Sequence, residues 1–112
     1  NRIIVLAAGT GNPFFTTDSA ASLRAIELGA EIMLKGTKVD GIYNKDPIKY
    51  SDASLYREIS YKDVIAKNLA VMDATAVVMC QENNMPLKVF NILKAGNLKK
   101  AILDDKIGTK II

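Results

Sequence analysis

This sequence predicts an α/β architecture built on a largely parallel sheet, and three observations carry that expectation. Short apolar runs of strand length alternate with amphipathic stretches of helix length. The run over residues 2–8, RIIVLAA, is almost uninterrupted and rich in Ile and Val, the pattern of a strand buried on both faces. Directly after it, Gly9 to Asp18 forms a glycine-bearing turn that opens into a helix, which is the order of a βαβ unit.

Taken along the chain, the first run is followed by a loop over residues 9–17, and Asp18 offers an N-cap to a helix that Gly29 stops. Ala21, Leu23, Ala25, Ile26 and Leu28 supply its apolar stripe. Residues 31–35, EIMLK, read as the next strand. Residues 36–54 are polar, with Gly41 and Asp46-Pro47 marking turns, and a connection of that length is usually functional or mobile. A short strand is expected over 57–59. Ser60 caps a helix to about Lys67, with Asp63 in the capping-box position. Asp73 caps a further helix to Asn83, whose buried face runs through Ala76, Val77 and Cys80. A third core strand over 87–91, a helix over 97–103 and a closing strand over 110–112 complete the pattern.

The bulk properties narrow the function. A chain of 112 residues, 49% hydrophobic and 24% charged, is one small domain or a piece of a larger one, able to bury roughly two-thirds of its surface. Its net charge of +3 is spread out, with only Lys99 and Lys100 adjacent, so it suits a small polyanionic ligand better than nucleic acid. The single cysteine, Cys80, allows no internal disulfide and fits a reducing compartment. Histidine is absent, so no histidine base or histidine-ligated metal operates within this chain. No apolar run is long enough to cross a bilayer and no signal peptide is visible, which makes the cytoplasm the default expectation. A buried parallel strand at the very start needs neighbours, so an upstream segment is expected to be missing.

The residues with chemistry in them gather after the first two strands. Ligands of open α/β sheets bind at the carboxyl ends of the strands. In GTGNPFFTTD, Gly9 and Gly11 permit close backbone approach, Thr10, Thr16 and Thr17 add hydroxyls, and the helix start adds oriented N–H groups. Together these make an anion cradle. It is neither a Walker A loop, lacking Gly-Lys-Ser/Thr, nor a dinucleotide fingerprint, because Phe14 stands where the third glycine belongs. The plain alternative is a tight turn whose glycines serve the backbone alone. Asp18 reads either as a simple cap or as a carboxylate beside a bound phosphate, and the second role requires a cation nearby. Lys35 is that candidate, with Lys38 second. Phosphoryl transfer needs positive charge on the moving oxygens more than it needs an acid or base. Tyr43 and Asp46 follow in the long loop as an aromatic for a base and a carboxylate for a ribose hydroxyl, although Asp46-Pro47 is also a simple turn starter. Phe14, Phe15, Met72, Met79, Met85 and Cys80 read as packing, and Lys94, Lys99 and Lys100 as a solvated face.

The strings AAGTGNPFFTTDSAASLRAIELGAE and LKGTKVDGIYNKDP, with VMDATAVVMCQENNMPLKVFNI and the closing GTKI, resemble the bacterial UMP kinases of the amino acid kinase superfamily over nearly all of the chain. GNPFFTTD is the specific string. Sibling kinases for aspartate, glutamate and carbamate share a TTD-like element and the KVDG-Y-DP pattern without it. The resemblance implies a three-layer αβα sandwich around a mainly parallel sheet, and a cytoplasmic homohexamer that neither binds nucleic acid nor enters a membrane. It implies transfer of the γ-phosphoryl group from Mg-ATP, with Mg²⁺ as cofactor, to UMP, giving UDP and ADP in pyrimidine nucleotide biosynthesis. It implies that Thr10, Gly11, Asn12, Pro13, Phe14, Phe15, Thr16 and Thr17 wrap UMP. Asp18 would be the catalytic aspartate organising phosphate-binding lysines, and Lys35 would lie beside the transferring phosphoryl group. Thr37, Tyr43 and Asp46 would contact ATP, the aromatic beside adenine. Arg2 would lie near an allosteric GTP site, with UTP as an inhibitor. The family's first phosphate-binding lysine, its glycine-rich loop over the phosphates and further UMP contacts belong to an N-terminal half absent here. Residues 1–112 therefore read as the C-terminal, nucleotide-binding part of a single amino acid kinase domain, expected to be inactive in isolation. The alternatives are a regulatory module that binds nucleotide without turnover, a sibling kinase acting on a carboxylate or carbamate, and a bare structural domain.

Overall fold

The computed structural model describes residues 4–112 and folds them in the order α1 (Thr17–Glu27), β1 (Met33–Thr37), β2 (Glu58–Ile59), α2 (Tyr61–Ala66), α3 (Ala74–Glu82), β3 (Leu87–Asn91), α4 (Asn97–Leu103) and β4 (Thr109–Ile111). The four strands make one sheet in the order β1-β3-β4-β2. β1 runs parallel to β3, with Met33 opposite Leu87 and Thr37 opposite Asn91, and β2 runs parallel to β4. Only the β3–β4 pair is antiparallel. The α/β fold with a mainly parallel sheet is the one expected.

β3 is the centre of the sheet, and its sequence shows why. Leu87, Lys88, Val89 and Phe90 are all buried, so both faces of the strand are covered. Alternation sends Leu87 and Val89 to one face. There they join Met33, Ile59 and Ile111 from neighbouring strands and Val64, Val77 and Cys80 from α2 and α3 in one apolar cluster. Lys88 goes to the other face, towards α4. Its ammonium donates to the carbonyls of Ala101 at 3.0 Å and Asp104 at 3.2 Å, with the Asp105 carboxylate 3.6 Å away. A buried cation is tolerable only when paired, and the negative end of a helix is a suitable partner. Helices therefore cover both faces of the sheet.

α1 lies against α3 through small side chains. Ser19, Ala20 and Ser22 are its buried residues, opposite Ala76 and Cys80, and the Cys80 thiol lies 3.3 Å from the Ser22 hydroxyl. Small residues on both sides let the two helices come close.

Three expectations are corrected. The described part of the first apolar run, residues 4–8, forms no strand, and Ile4, Val5 and Leu6 are exposed. A buried parallel strand exists only through its neighbours' hydrogen bonds, and none of the four strands pairs with this run. Second, Thr16 rather than Asp18 caps α1: its backbone is extended and its hydroxyl accepts from the Ser19 amide at 3.2 Å. Three good capping residues stand in a row in Thr-Thr-Asp, so residue type alone does not choose among them. Third, the strand expected over 31–35 lies at Met33–Thr37. The end of α1 extends further, with Gly29 at φ +62° and the Ala30 amide still donating to the Ala25 carbonyl, and pairing with β3 begins only at Met33.

Two glycines are spacing devices of different kinds. A Cβ at Gly36 in β1 would lie 2.8 Å from Ile92 Cδ1 and 2.9 Å from Ile92 Cβ, so Ile92 closes over a bare backbone. Gly108, at φ +78°, would drive a Cβ into the Val89 carbonyl oxygen, whereas Gly96, at φ +79°, has open space around it. Gly96→Ala therefore costs only the left-handed backbone, about 1 kcal/mol, while Gly108→Ala adds a steric clash with β3 and costs about 3 kcal/mol or more. Urea unfolding of the two variants in parallel measures the difference, and equal losses would contradict this packing.

Candidate functional site

The helix start and the second strand meet where the chemistry was expected. Thr16 caps α1, which places Asp18 in the first helical turn. Met33, Lys35 and Thr37 share one face of β1 by alternation, the face on which Met33 joins the apolar cluster. Lys35 Nζ donates to Asp18 Oδ1 at 2.8 Å, and both side chains remain partly open to solvent, 25% and 32% exposed. Asp18 is thus paired with a cation rather than acting as the cap, and the ammonium keeps two further protons for an incoming anion. Lys38, exposed beyond the end of β1, takes no part in this pair.

The loop leading to Asp18 is unusual in its backbone. Ala8, Gly9, Gly11 and Phe14 all adopt positive φ, between 60° and 72°. Thr10 and Asn12 brace the turn, with the Asn12 amide donating to the Thr10 hydroxyl at 3.1 Å and Asn12 Nδ2 donating to the Thr10 carbonyl at 3.3 Å. Thr17 and Gly9 line a hollow of about 180 Å³ with Leu6, Ala20, Ala21 and Arg24. Phe14 and Phe15, expected as packing, are exposed, Phe14 completely. The positive φ at Phe14 turns the chain outward at that point, so Pro13, Phe14 and Phe15 lie on the outer surface of the loop.

One carboxylate anchors this loop to the body of the domain. Asp73 caps α3 by accepting from the Ala76 amide at 3.0 Å. It also accepts from the Thr16 hydroxyl, in a short hydrogen bond, and from the Ser19 hydroxyl at 3.3 Å. Burial pushes its pKa up, but the hydrogen bonds from Thr16, the Ala76 amide, Ser19 and the Thr75 amide outweigh that and hold it below the usual carboxylate range.

Tyr43 and Asp46 lie in a second place, a cleft of about 390 Å³ shared with Val39, Gly41 and Ile42 on one side and Asn68, Leu69 and Ala70 on the other. The long connection is closed at its base. Tyr43 bridges Leu55, the Asn44 amide donates to the Ser54 carbonyl at 3.0 Å, and the Ser54 amide donates to Asn44 Oδ1 at 2.9 Å. Asp46 Oδ1 accepts from the Ile48 amide at 2.9 Å, which makes the expected turn. Thr37 does not line the cleft. Its hydroxyl donates to the Val39 carbonyl at 2.8 Å and accepts the Val39 amide at 3.2 Å, folding the chain back at the end of β1. Arg2 lies outside the described residues. Sequence reasoning missed Asn68, Leu69 and Ala70, which reach the cleft from the turn after α2. The positive φ of Asn68, at 49°, is the sort of helix exit an asparagine signals.

Chemically, the two places differ. A solvent-reachable ammonium held by a carboxylate stands beside a backbone turn and a helix start, suited to anionic oxygens. A mostly apolar cleft with a tyrosine and a carboxylate suits a heterocycle and its sugar. Among the described residues no three His, Cys, Asp or Glu side chains gather as a metal cage, and no helix is long and apolar enough to cross a membrane.

Comparison with known proteins places the chain among kinases of one family. The model of the amino acid kinase family matches residues 1–91. The chain is 58% identical over 108 residues to the uridylate kinase of Dichelobacter nodosus, covering 96% of this chain and 45% of that protein. It is 55% identical over 111 residues to the uridylate kinase of Sodalis glossinidius, covering 99% and 46%. Its fold overlays the crystal structure of the UMP kinase from Bacillus anthracis with a TM-score of 0.88 at 36% identity, covering 92% of this chain and 43% of that one. The UMP kinase from Ureaplasma parvum overlays with a TM-score of 0.81 at 44% identity, covering 92% and 44%. The chain thus spans less than half the length of the proteins it matches.

Asp73 yields a test by pH. Its folded-state pKa lies below the unfolded value, so its stabilising contribution is complete above that value and fades as pH falls through the folded one. Asp73→Asn keeps a capping oxygen but takes the charge from the hydrogen bonds of Thr16 and Ser19, and should lower stability by about 1 kcal/mol at pH 7. The gap between variant and parent should close as the pH is taken below about 3.8, the ordinary value for this carboxyl. Thermal melts of both proteins from pH 7 to pH 3 measure this, and a gap that stays constant would contradict it.

Proposed function

The chain belongs to the amino acid kinase family, and on that premise we propose that it is the C-terminal, nucleotide-binding part of a UMP kinase. In this reading a phosphate oxygen of UMP attacks the γ-phosphorus of ATP. The new P–O bond forms as the bond to the β-bridging oxygen breaks, the electron pair leaves with ADP, and UDP is released without a covalent enzyme intermediate. The observation that carries the proposal is the Asp18–Lys35 pair, at 2.8 Å, set at the head of α1 beside the GTGNPFFTT loop.

Each part has a physical task. Charge on the transferring group spreads over its equatorial oxygens, so catalysis is chiefly positioning and cationic stabilisation. Lys35 supplies positive charge, and Asp18 fixes the direction of its ammonium. UMP is held by the loop from Thr10 to Thr17, whose hydroxyls and amides face an anionic ligand more readily than an apolar one. ATP takes the cleft, with adenine against Tyr43 and a ribose hydroxyl donating to Asp46, while Thr37 shapes the turn at its edge. Mg²⁺ bound to ATP would supply neutralising charge on its phosphates, and the described residues gather no acidic cluster to hold that ion apart from the nucleotide. The same reading carries a role in pyrimidine nucleotide biosynthesis in the cytoplasm, a homohexameric assembly and control by GTP and UTP, as the resemblance implies.

The test is phosphorus NMR of the full-length protein with Mg-ATP and one acceptor at a time: UMP, CMP, AMP, aspartate or carbamate. UDP should form from UMP, with the other acceptors left unchanged. Lys35→Met should lower kcat by about a hundredfold or more, because one positioned donor to a developing negative charge is worth that much. UMP left untouched while a carboxylate or carbamate is phosphorylated would overturn the proposal.

A further inference from the structure

Asp40 stands between two cleft residues, Val39 and Gly41, yet it lines a different and smaller hollow on the other side of the chain, shared with Arg57, Lys94 and Asn97. There Lys94 Nζ donates to Asp40 Oδ1 at 2.7 Å, and Asn91 Nδ2 donates to the same oxygen at 3.1 Å. Asn91 is the last residue of β3 and is itself fully engaged. Its Nδ2 also reaches the Lys38 carbonyl at 3.4 Å, its Oδ1 accepts from the Leu93 amide at 3.0 Å, and its backbone carbonyl accepts from Asn97 Nδ2 at 2.9 Å. Asn97 is buried in the first turn of α4. The other end of the segment is fastened separately. The Ile42 amide donates to the Thr109 hydroxyl at 2.9 Å, and that hydroxyl occupies the space a Cβ on Gly41 would take.

The cleft wall formed by residues 39–43 is therefore held from behind by groups that line no part of the cleft. An asparagine at the end of a central strand is a rigid support, because its backbone belongs to the sheet ladder. The Lys94 hydrogen bond, then that from Asn91, hold the Asp40 carboxyl below the usual carboxylate range.

We propose that Asp40, Asn91 and Lys94 form a positioning clamp that holds the wall of residues 39–43 in the shape that receives the adenine nucleotide, setting affinity for ATP without touching ATP or UMP. This rests on the reading of the cleft as the ATP site. None of the three is a catalytic residue. They act through the backbone of Val39, Gly41 and Tyr43, so their loss should weaken ATP and spare the phosphate acceptor.

The experiment is steady-state kinetics of the full-length protein carrying Lys94→Met, Asn91→Ala, or Asp40→Asn with and without Lys94→Met. Lys94 and Asp40 are more than a third exposed at their side chains, so that ion pair alone is modest, and Lys94→Met should raise KM for ATP about two- to fivefold. Asn91→Ala removes the half-buried hydrogen bond to Asp40 together with the exposed ones to the Lys38 carbonyl and from the Leu93 amide, and should raise it about five- to tenfold. KM for UMP should stay within about twofold of the parent in each case. The double variant should be no worse than its worse single parent, because the two changes break one contact. Lys94→Arg should restore the parental value. Thermal melts accompany the kinetics, and Lys94→Met, at an exposed side chain, keeps the test valid if Asn91→Ala unfolds. An unchanged KM for ATP in Lys94→Met and Asp40→Asn, or an equal rise in both KM values, overturns the clamp. If the parent phosphorylates no UMP, the proposed function falls. The clamp is then decided by binding of the fluorescent analogue TNP-ATP to the same proteins: weaker binding by the variants supports it. Equal binding by the variants, or no binding by the parent, overturns it.

Discussion

Two helices begin at Asp73. Its carboxylate accepts from Thr16 and Ser19 at the head of α1 and from the Ala76 amide at the head of α3. Each helix start carries unpaired N–H groups and a partial positive charge, and two such ends repel unless an anion lies between them. With Asp73 in that place the ends are joined, and the small residues along the seam, Ser22 against Cys80 among them, can close. The direction of α1 follows, and with it the position of Asp18 in its first turn, opposite Lys35. Placement of the ion pair therefore depends on a contact made by neither of its members.

Legibility from sequence followed how local each cause was. Residues 87–91 and 97–103 lie where their patterns put them, because a dense apolar run after a proline and a polar-apolar stretch opened by a glycine are decided within a few residues. Ser60 and Asp73 cap their helices as read, each accepting from an amide three residues on. The run at residues 4–8 was misread for the opposite reason: a strand's existence is settled by partners distant in sequence. The same applies to Lys88, which no local rule would bury, and to Phe14, whose size predicts packing while its backbone φ turns it outward. Asp18 and Lys35 were paired on topology, since both stand near the carboxyl edge of the sheet. Asn91 and Lys94 could not be paired with Asp40 in that way, because a hydrogen bond between strand ends leaves no periodic trace.

The cleft wall shows a division between what touches and what holds. Val39, Gly41, Ile42 and Tyr43 line the cleft, while the Asp40 side chain and the Ile42 amide are fastened from behind by Lys94, Asn91 and Thr109. A wall built so gains order from the sheet, which leaves the side chains of Val39, Ile42 and Tyr43 available to a ligand. The closed base at Asn44 and Ser54 serves the same end, confining the freedom of a long connection to its tip.

Gly36 and Ile92 have a consequence for how this sequence can drift. A methyl group at position 36 would meet not only the flexible end of Ile92 but also its Cβ, which cannot swing aside without moving the backbone that follows β3. One position lies in β1 and the other in the turn after β3, remote in sequence, yet each bounds the other. A lineage that gains a side chain at 36 must first, or at once, lose bulk or shift backbone at 92. Across homologous sequences the pair should be inherited jointly, a mark of epistasis left by one missing methyl.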